Sequence, residues 1–158
     1  MFKVGDKVVY PMHGAGVIEA IEEKEVLGEK KQYYILRLPI GDMKVMVPIR
    51  SVKDLGLREV IDDKGITRVL EILKESEDIM STNWNRRYRS NLEKIKSGDV
   101  FKVAEVVRNL LIRDREKGLS TGERKMLDNA RQILVSEIVL VKGLEEDTVS
   151  DWLEGVLA

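Results

Sequence analysis

No cysteine occurs among the 158 residues of this chain. Disulfides and thiolate metal sites are thereby excluded, and a reducing cytoplasm is the expected setting. No apolar run approaches the roughly 18 residues that a membrane helix needs, and Met1-Phe2-Lys3-Val4 opens a patterned segment instead of a signal peptide. A membrane partner is not expected. Histidine is confined to His13, and no glycine-rich phosphate cradle with its lysine is present. His13 lies in YPMHGAG and reads as a turn residue before a catalyst. The carboxylates sit among basic neighbours at the spacing of solvated helical pairs, not as an isolated acid/base couple. The chain therefore reads as no enzyme, with no metal, cofactor or small-molecule ligand expected.

Net charge is also scarce, at −1 overall, but that value hides a segregation. Residues 81–131 hold thirteen Lys and Arg against seven Asp and Glu, a surplus of six positive charges. Residues 132–158 carry only Lys142 against six acids. A basic block followed by an acidic tail is the pattern of an anion-binding face. With 43% hydrophobic and 35% charged residues, the chain is too apolar for disorder and too charged for a lipid-embedded protein.

The hydrophobic period changes once. KVVY (Lys7–Tyr10), AGVIEAIEEKEVL (Ala15–Leu27), KQYYILRL (Lys31–Leu38) and MKVMVP (Met43–Pro48) are β-branched and aromatic runs separated by turn residues at 11–16, Gly28-Glu29 and Gly41-Asp42. Within the second run the two faces exchange roles, which predicts a bulge or strong bend. Four or five short strands in about fifty residues predict a small antiparallel barrel of the SH3 or Tudor kind. Gly14 and Gly16 predict positions where a dihedral or a close approach excludes a side chain.

After Leu55-Gly56 the period becomes helical. Ile66, Val69, Leu70 and Leu73 form one stripe, and Trp84, Tyr88, Leu92 and Ile95 another. Asp99 caps a helix that stops at Gly118, and Ser120 with Glu123 forms a capping box before the longest helix. Val149, Trp152, Leu153 and Val156 share one side of a last amphipathic segment, and Trp152 and Met126 read as packing residues. The prediction is an α+β protein in two domains: a barrel over residues 1–55 and about five helices over 56–158.

The stretch STNWNRRYRSNLEK (Ser81–Lys94) carries the sharpest functional signal. Arg86, Arg87 and Arg89 follow a tryptophan at a helix mouth. Adjacent Arg124 and Lys125, with Arg131, lie early in another helix. Arginine forks onto phosphates and inserts into narrow grooves, so nucleic acid is the leading partner. These cations read as surface groups whose removal leaves folding almost untouched. Trp84 reads equally as a core residue continued by Tyr88 and Leu92, or as an apolar wedge against a base step.

FKVGDKVVYPMHGAGVIEAI, TNWNRRYRSNLEKIKSGD and LSTGERKMLDNARQIL together resemble the CarD family of bacterial transcription regulators, from about residue 2 to about 140. The resemblance implies a Tudor-like N-terminal domain that binds the β subunit of RNA polymerase. It implies a helical domain that touches promoter DNA, largely without sequence preference, at the upstream edge of the melted region and acts on open-complex stability. By the same resemblance the wedge tryptophan is Trp84, its neighbouring phosphate contacts are Arg86, Arg87 and Arg89, and a further basic contact is Arg124. On the polymerase side it implies Lys24. Where some members carry an arginine in the fourth strand, this chain has Met46, which offers apolar, adaptable packing. The rival reading is a two-module protein–protein adaptor that makes no DNA contact.

Overall fold

The computed structural model of the protein describes residues 1–76 and 80–157; 77–79 and the last residue of the tail, Ala158, lie outside the described residues. The N-terminal half is an antiparallel sheet built from β1 (Lys7–Tyr10), β2 (Gly14–Val26), β3 (Glu29–Leu38), β4 (Met43–Pro48) and β5 (Arg58–Glu59), in the order β4-β3-β2-β1-β5. Strand alternation divides its residues between two cores. Val8, Ile18, Tyr34, Leu36, Leu38 and Val47 fill the sheet's own concave side, whereas Val9 and Ala15 face the other way and meet Leu140.

The predicted bend is a bulge at Glu19. The register passes from Ile18 opposite Leu36 to Ala20 opposite Ile35, leaving Glu19 as the extra residue. The β2–β3 turn lies one residue earlier than expected, on Leu27 and Gly28, both with positive φ (53° and 81°) as a two-residue hairpin turn requires.

The expected barrel is not closed. Among the described residues β4 and β5 pair with one neighbour each. β5 is too short to extend the ladder, and the chain between β4 and β5 coils into a 3-10 turn (Ile49–Ser51) and the one-turn helix α1 (Val52–Leu55). Ile49, Val52 and Leu55 pack on the sheet's core and cover its open end. The sheet also continues past residue 55, because Val8 and Val9 pair with Glu59 and Arg58.

The helical half contains α2 (Asp63–Lys74), α3 (Trp84–Lys96), α4 (Val100–Glu116), α5 (Thr121–Lys142) and α6 (Glu146–Leu157). Short polar side chains start them as predicted: Asp99 Oδ1 accepts from Phe101 N at 2.9 Å, and Ser120 Oγ accepts from Glu123 N at 3.2 Å. Asp62 and Asn83 do the same for α2 and α3. α5 ends at Gly143 with φ 66°. Apolar faces of α2, α4, α5 and α6 enclose one core that includes Val69, Val107, Leu110, Met126, Ile138 and Leu153. Trp152, read as a packing residue, is half-exposed on α6.

The second half of α5 joins the two parts. Ser136 Oγ accepts from Ala15 N at 2.8 Å and donates to Ile133 O. Gly14, at φ 103°, leaves the room for this: a Cβ there would stand 2.7 Å from Ser136 Oγ. Gly16 is required by close approach instead, since its Cβ would lie 2.5 Å from Arg37 O. Lys7 Nζ donates to Leu140 O at 2.9 Å. The strongest tie is Arg58, whose two Nη atoms each donate to Glu137 at 2.8 Å while its Nε donates to Gly98 O. Glu137 also accepts from Ile61 N and is 1% exposed.

Arg58→Ala leaves that carboxylate buried without its partner and is expected to cost roughly 3 kcal/mol in urea unfolding. Arg58→Lys is expected to recover only part of that stability, because one ammonium cannot reproduce a two-pronged fork.

Candidate nucleic-acid interface

The first turn of α3 meets the first turn of α5. Trp84 opens α3 behind its Asn83 cap and is 40% exposed. One face of its indole stacks on Tyr88, with centroids 4.9 Å apart and planes 17° from parallel. Its ring lies against Gly122, and Nε1 donates to Ser120 Oγ at 3.0 Å. The stripe predicted for α3 is thus graded: Trp84 is half-exposed, Tyr88 and Leu92 are more buried, and Ile95 is fully buried. Trp84 is a held ring that is also part-exposed, which a core residue would not be.

Arg87 departs from the expectation. It is 3% exposed and forks onto Glu123, itself 2% exposed, with Nε–Oε2 at 2.8 Å and Nη2–Oε1 at 3.2 Å. Its remaining Nη1 donates to the carbonyls of Ser81 and Thr82. With four of its five N–H donors engaged and almost no surface of its own, this guanidinium does not reach a phosphate, so Arg87 is a structural ion-pair residue. Arg87, Asn91 and Ile95 are the buried residues of α3 and recur at intervals of four. That stripe is concealed in sequence because two of its three members are polar. It meets the aromatic stripe at Ile95, which belongs to both.

Burial by itself would raise the Glu123 carboxyl, but the hydrogen bonds and charge of Arg87, with two hydrogen bonds from Ser120, hold it below the usual carboxylate range. Glu123, read as half of a capping box, keeps its link to Ser120 and is at the same time the buried counter-ion of Arg87.

The other cations divide into two sets. Arg86, Arg89 and Lys125 are exposed, and Arg124 is 54% exposed while pairing with Asp114 at 2.8 Å. Arg131, by contrast, pairs with Glu154 of α6, Lys94 with Glu105, and buried Arg108 with Glu75. Part of the basic surplus thus serves the packing of the helices. The first turn of α3 contains no acidic residue. The positive ends of α3 and α5 converge at Trp84 and Ser120, and their dipoles add to the exposed cations there.

On the sheet, pairing register places Lys24 and Met46 on one face. Lys24 lies opposite Lys31, and Met46 opposite Ile35. Lys31, Tyr33 and Ile35 are alternate residues of β3 and so point the same way. Lys24 is exposed and ion-paired with Glu22 at 3.6 Å; Met46 is 45% exposed on the edge strand β4.

Two family models match this chain. Residues 2–61 match the family model for the CarD-like/TRCF RID domain, and residues 68–154 match that for the CarD C-terminal domain. YdeB of Bacillus subtilis (strain 168), a protein proposed to be a transcription factor, is 44% identical over 152 residues, covering 96% of this chain and 99% of YdeB. Two solved structures from Myxococcus xanthus match the N-terminal part. The 72-residue N-terminal domain of CarD is 39% identical, covering 37% of this chain and 79% of that one, with a TM-score of 0.33. CdnLNt is 42% identical, covering 40% and 89%, with a TM-score of 0.35. The chain belongs to the CarD family. It is a transcription regulator of the CarD type.

Arg87→Ala is expected to cost about 3–5 kcal/mol, because it strands the Glu123 charge in the interior. Since the folded-state pKa of Glu123 is depressed, the unfolded chain takes up the proton first as pH falls. The stabilisation is complete above roughly pH 4.3, the unfolded value, and disappears as pH drops through the folded value. Denaturant unfolding from pH 7 to pH 3 is expected to show this acid limb, flattened in Glu123→Gln.

Proposed function

We propose that this regulator binds the RNA polymerase β subunit through its N-terminal sheet and promoter DNA through the α3–α5 junction, at the upstream edge of the transcription bubble, and so alters open-complex stability. The observation that carries the reading is Trp84: a half-exposed indole held by a stack and a hydrogen bond, at the meeting of two positive helix ends. Around it Arg86, Arg89, Arg124 and Lys125 are the exposed cations suited to phosphates. Arg87 positions this surface from behind. A flat apolar group beside such cations fits a base step at the point where duplex gives way to single strands. Contacts of this kind, to phosphates and a base step, make affinity largely independent of sequence.

For the polymerase, support comes from the match of residues 2–61 to the CarD-like/TRCF RID domain. The strand edge of β4 and the outward face bearing Lys24 and Met46 offer main-chain pairing together with a mixed charged and apolar contact.

Forked DNA titrated at several salt concentrations tests the DNA half of this reading. Arg86→Ala, Arg89→Ala and Lys125→Ala are each expected to weaken binding across sequences and to lower the salt slope by roughly 0.9 for each phosphate no longer neutralised. Arg124→Ala is expected to do less, because Asp114 already neutralises part of that charge. Binding that ignores salt would leave a protein-only adaptor. Trp84→Ala is expected to abolish the protein's effect on open-complex lifetime, a change of several-fold to more than a hundredfold from the about 1–3 kcal/mol of one aromatic–base stack. Its folding cost is expected to fall below the about 3–5 kcal/mol of a core aromatic. Lys24→Glu and Met46→Ala are each expected to reduce co-purification with core polymerase; equal capture by a chain lacking the sheet would overturn that assignment.

A further inference from the structure

Ser120 Oγ sits in a hydrogen-bond arrangement that leaves it no choice of direction. Its two lone pairs accept from Trp84 Nε1 at 3.0 Å and from Glu123 N at 3.2 Å. Its single proton then goes to Glu123 Oε1, 3.2 Å away. That carboxylate is held in place by the buried Arg87 fork. The chain Arg87–Glu123–Ser120–Trp84 thus runs from a rigid interior pair to the edge of a half-exposed ring. Tyr88 stacks on one face of the ring, and Gly122 of α5 lies beside the ring's edge. A surface tryptophan without such neighbours samples several rotamers, and ordering it on a partner has an entropic cost.

We infer that Ser120 is a positioning residue for Trp84: its hydroxyl, aimed by Glu123, fixes the indole in one orientation before any partner arrives. This deepens the DNA-contact reading and rests on it. The helix cap and the indole bond are two duties of one oxygen, and only the cap has a cheap substitute. Glycine is nearly as good as serine at the start of a helix but has no hydroxyl to offer the ring. Threonine keeps the hydroxyl.

The chain has two tryptophans, so a Trp152→Phe background makes Trp84 the sole indole emitter. In that background Ser120→Gly is expected to lower the unfolding midpoint modestly, through the lost bond to Glu123, while the time-resolved anisotropy of Trp84 gains a fast local component. In the polymerase assay the same variant is expected to reduce the effect on open-complex lifetime by roughly two- to tenfold, the range for one net hydrogen bond. Ser120→Thr is expected to restore both readouts. An indole as ordered in Ser120→Gly as in the parent overturns the inference, and so does a freed indole with an unchanged lifetime effect. If the parent protein leaves open-complex lifetime unaltered, the DNA-contact reading fails, and the anisotropy comparison still decides whether Ser120 holds the ring.

Discussion

Two buried glutamates on one helix organise this protein. Glu123 and Glu137 lie 14 residues apart on α5, about 21 Å along its axis, and each receives a forked arginine from a different part of the chain. Arg87 brings α3 to one end of α5, and Arg58 brings the end of the sheet to the other. Buried ion pairs of this kind add little net stability over apolar substitutes, but an unpartnered member is costly. Their effect is to select one arrangement: any packing of α3 or β5 that misaligns either fork strands a carboxylate in the interior. α5 is accordingly the frame against which both surfaces are set.

That frame explains why a half-exposed tryptophan has a defined orientation. The ring is reached from the interior through a carboxylate and a hydroxyl, so the order of the core extends to a group at the surface. At the other end, Ser136 and Leu140 tie β1 and β2 to the same helix. The sheet proposed to face polymerase and the junction proposed to face DNA therefore share one rigid element, a useful property for a protein proposed to act on the geometry of a third body.

Much of this was legible in the residues. The alternation in Lys7–Tyr10 and Met43–Pro48 gives strands with those bounds, and the exchange of faces in the second run gives a bulge at Glu19. Asp99 and Ser120 start helices as their chemistry requires. Gly14 and Gly16 stand where a side chain would collide. The closed barrel was not realised, because closure depends on whether the last strand is long enough to reach the first edge, and Arg58–Glu59 is not. Arg87 misled for a related reason. A helix repeats every 3.6 residues, and a polar residue on its inner side looks like one on its outer side until its counter-charge is known.

By itself, then, the sequence determined the local chemistry: periods, caps, turns, the basic block and the tryptophan at a helix mouth. Each depends on neighbours within a few positions, and short-range sterics and hydrogen bonding suffice to set it. Tertiary structure alone decided which cations face solvent and which are buried, and which hydroxyl holds the indole. The partners in question, Arg87 with Glu123 and Trp84 with Ser120, are each 36 residues apart. Pairing at that separation is chosen by the packing of whole helices, a property that no local window of residues contains.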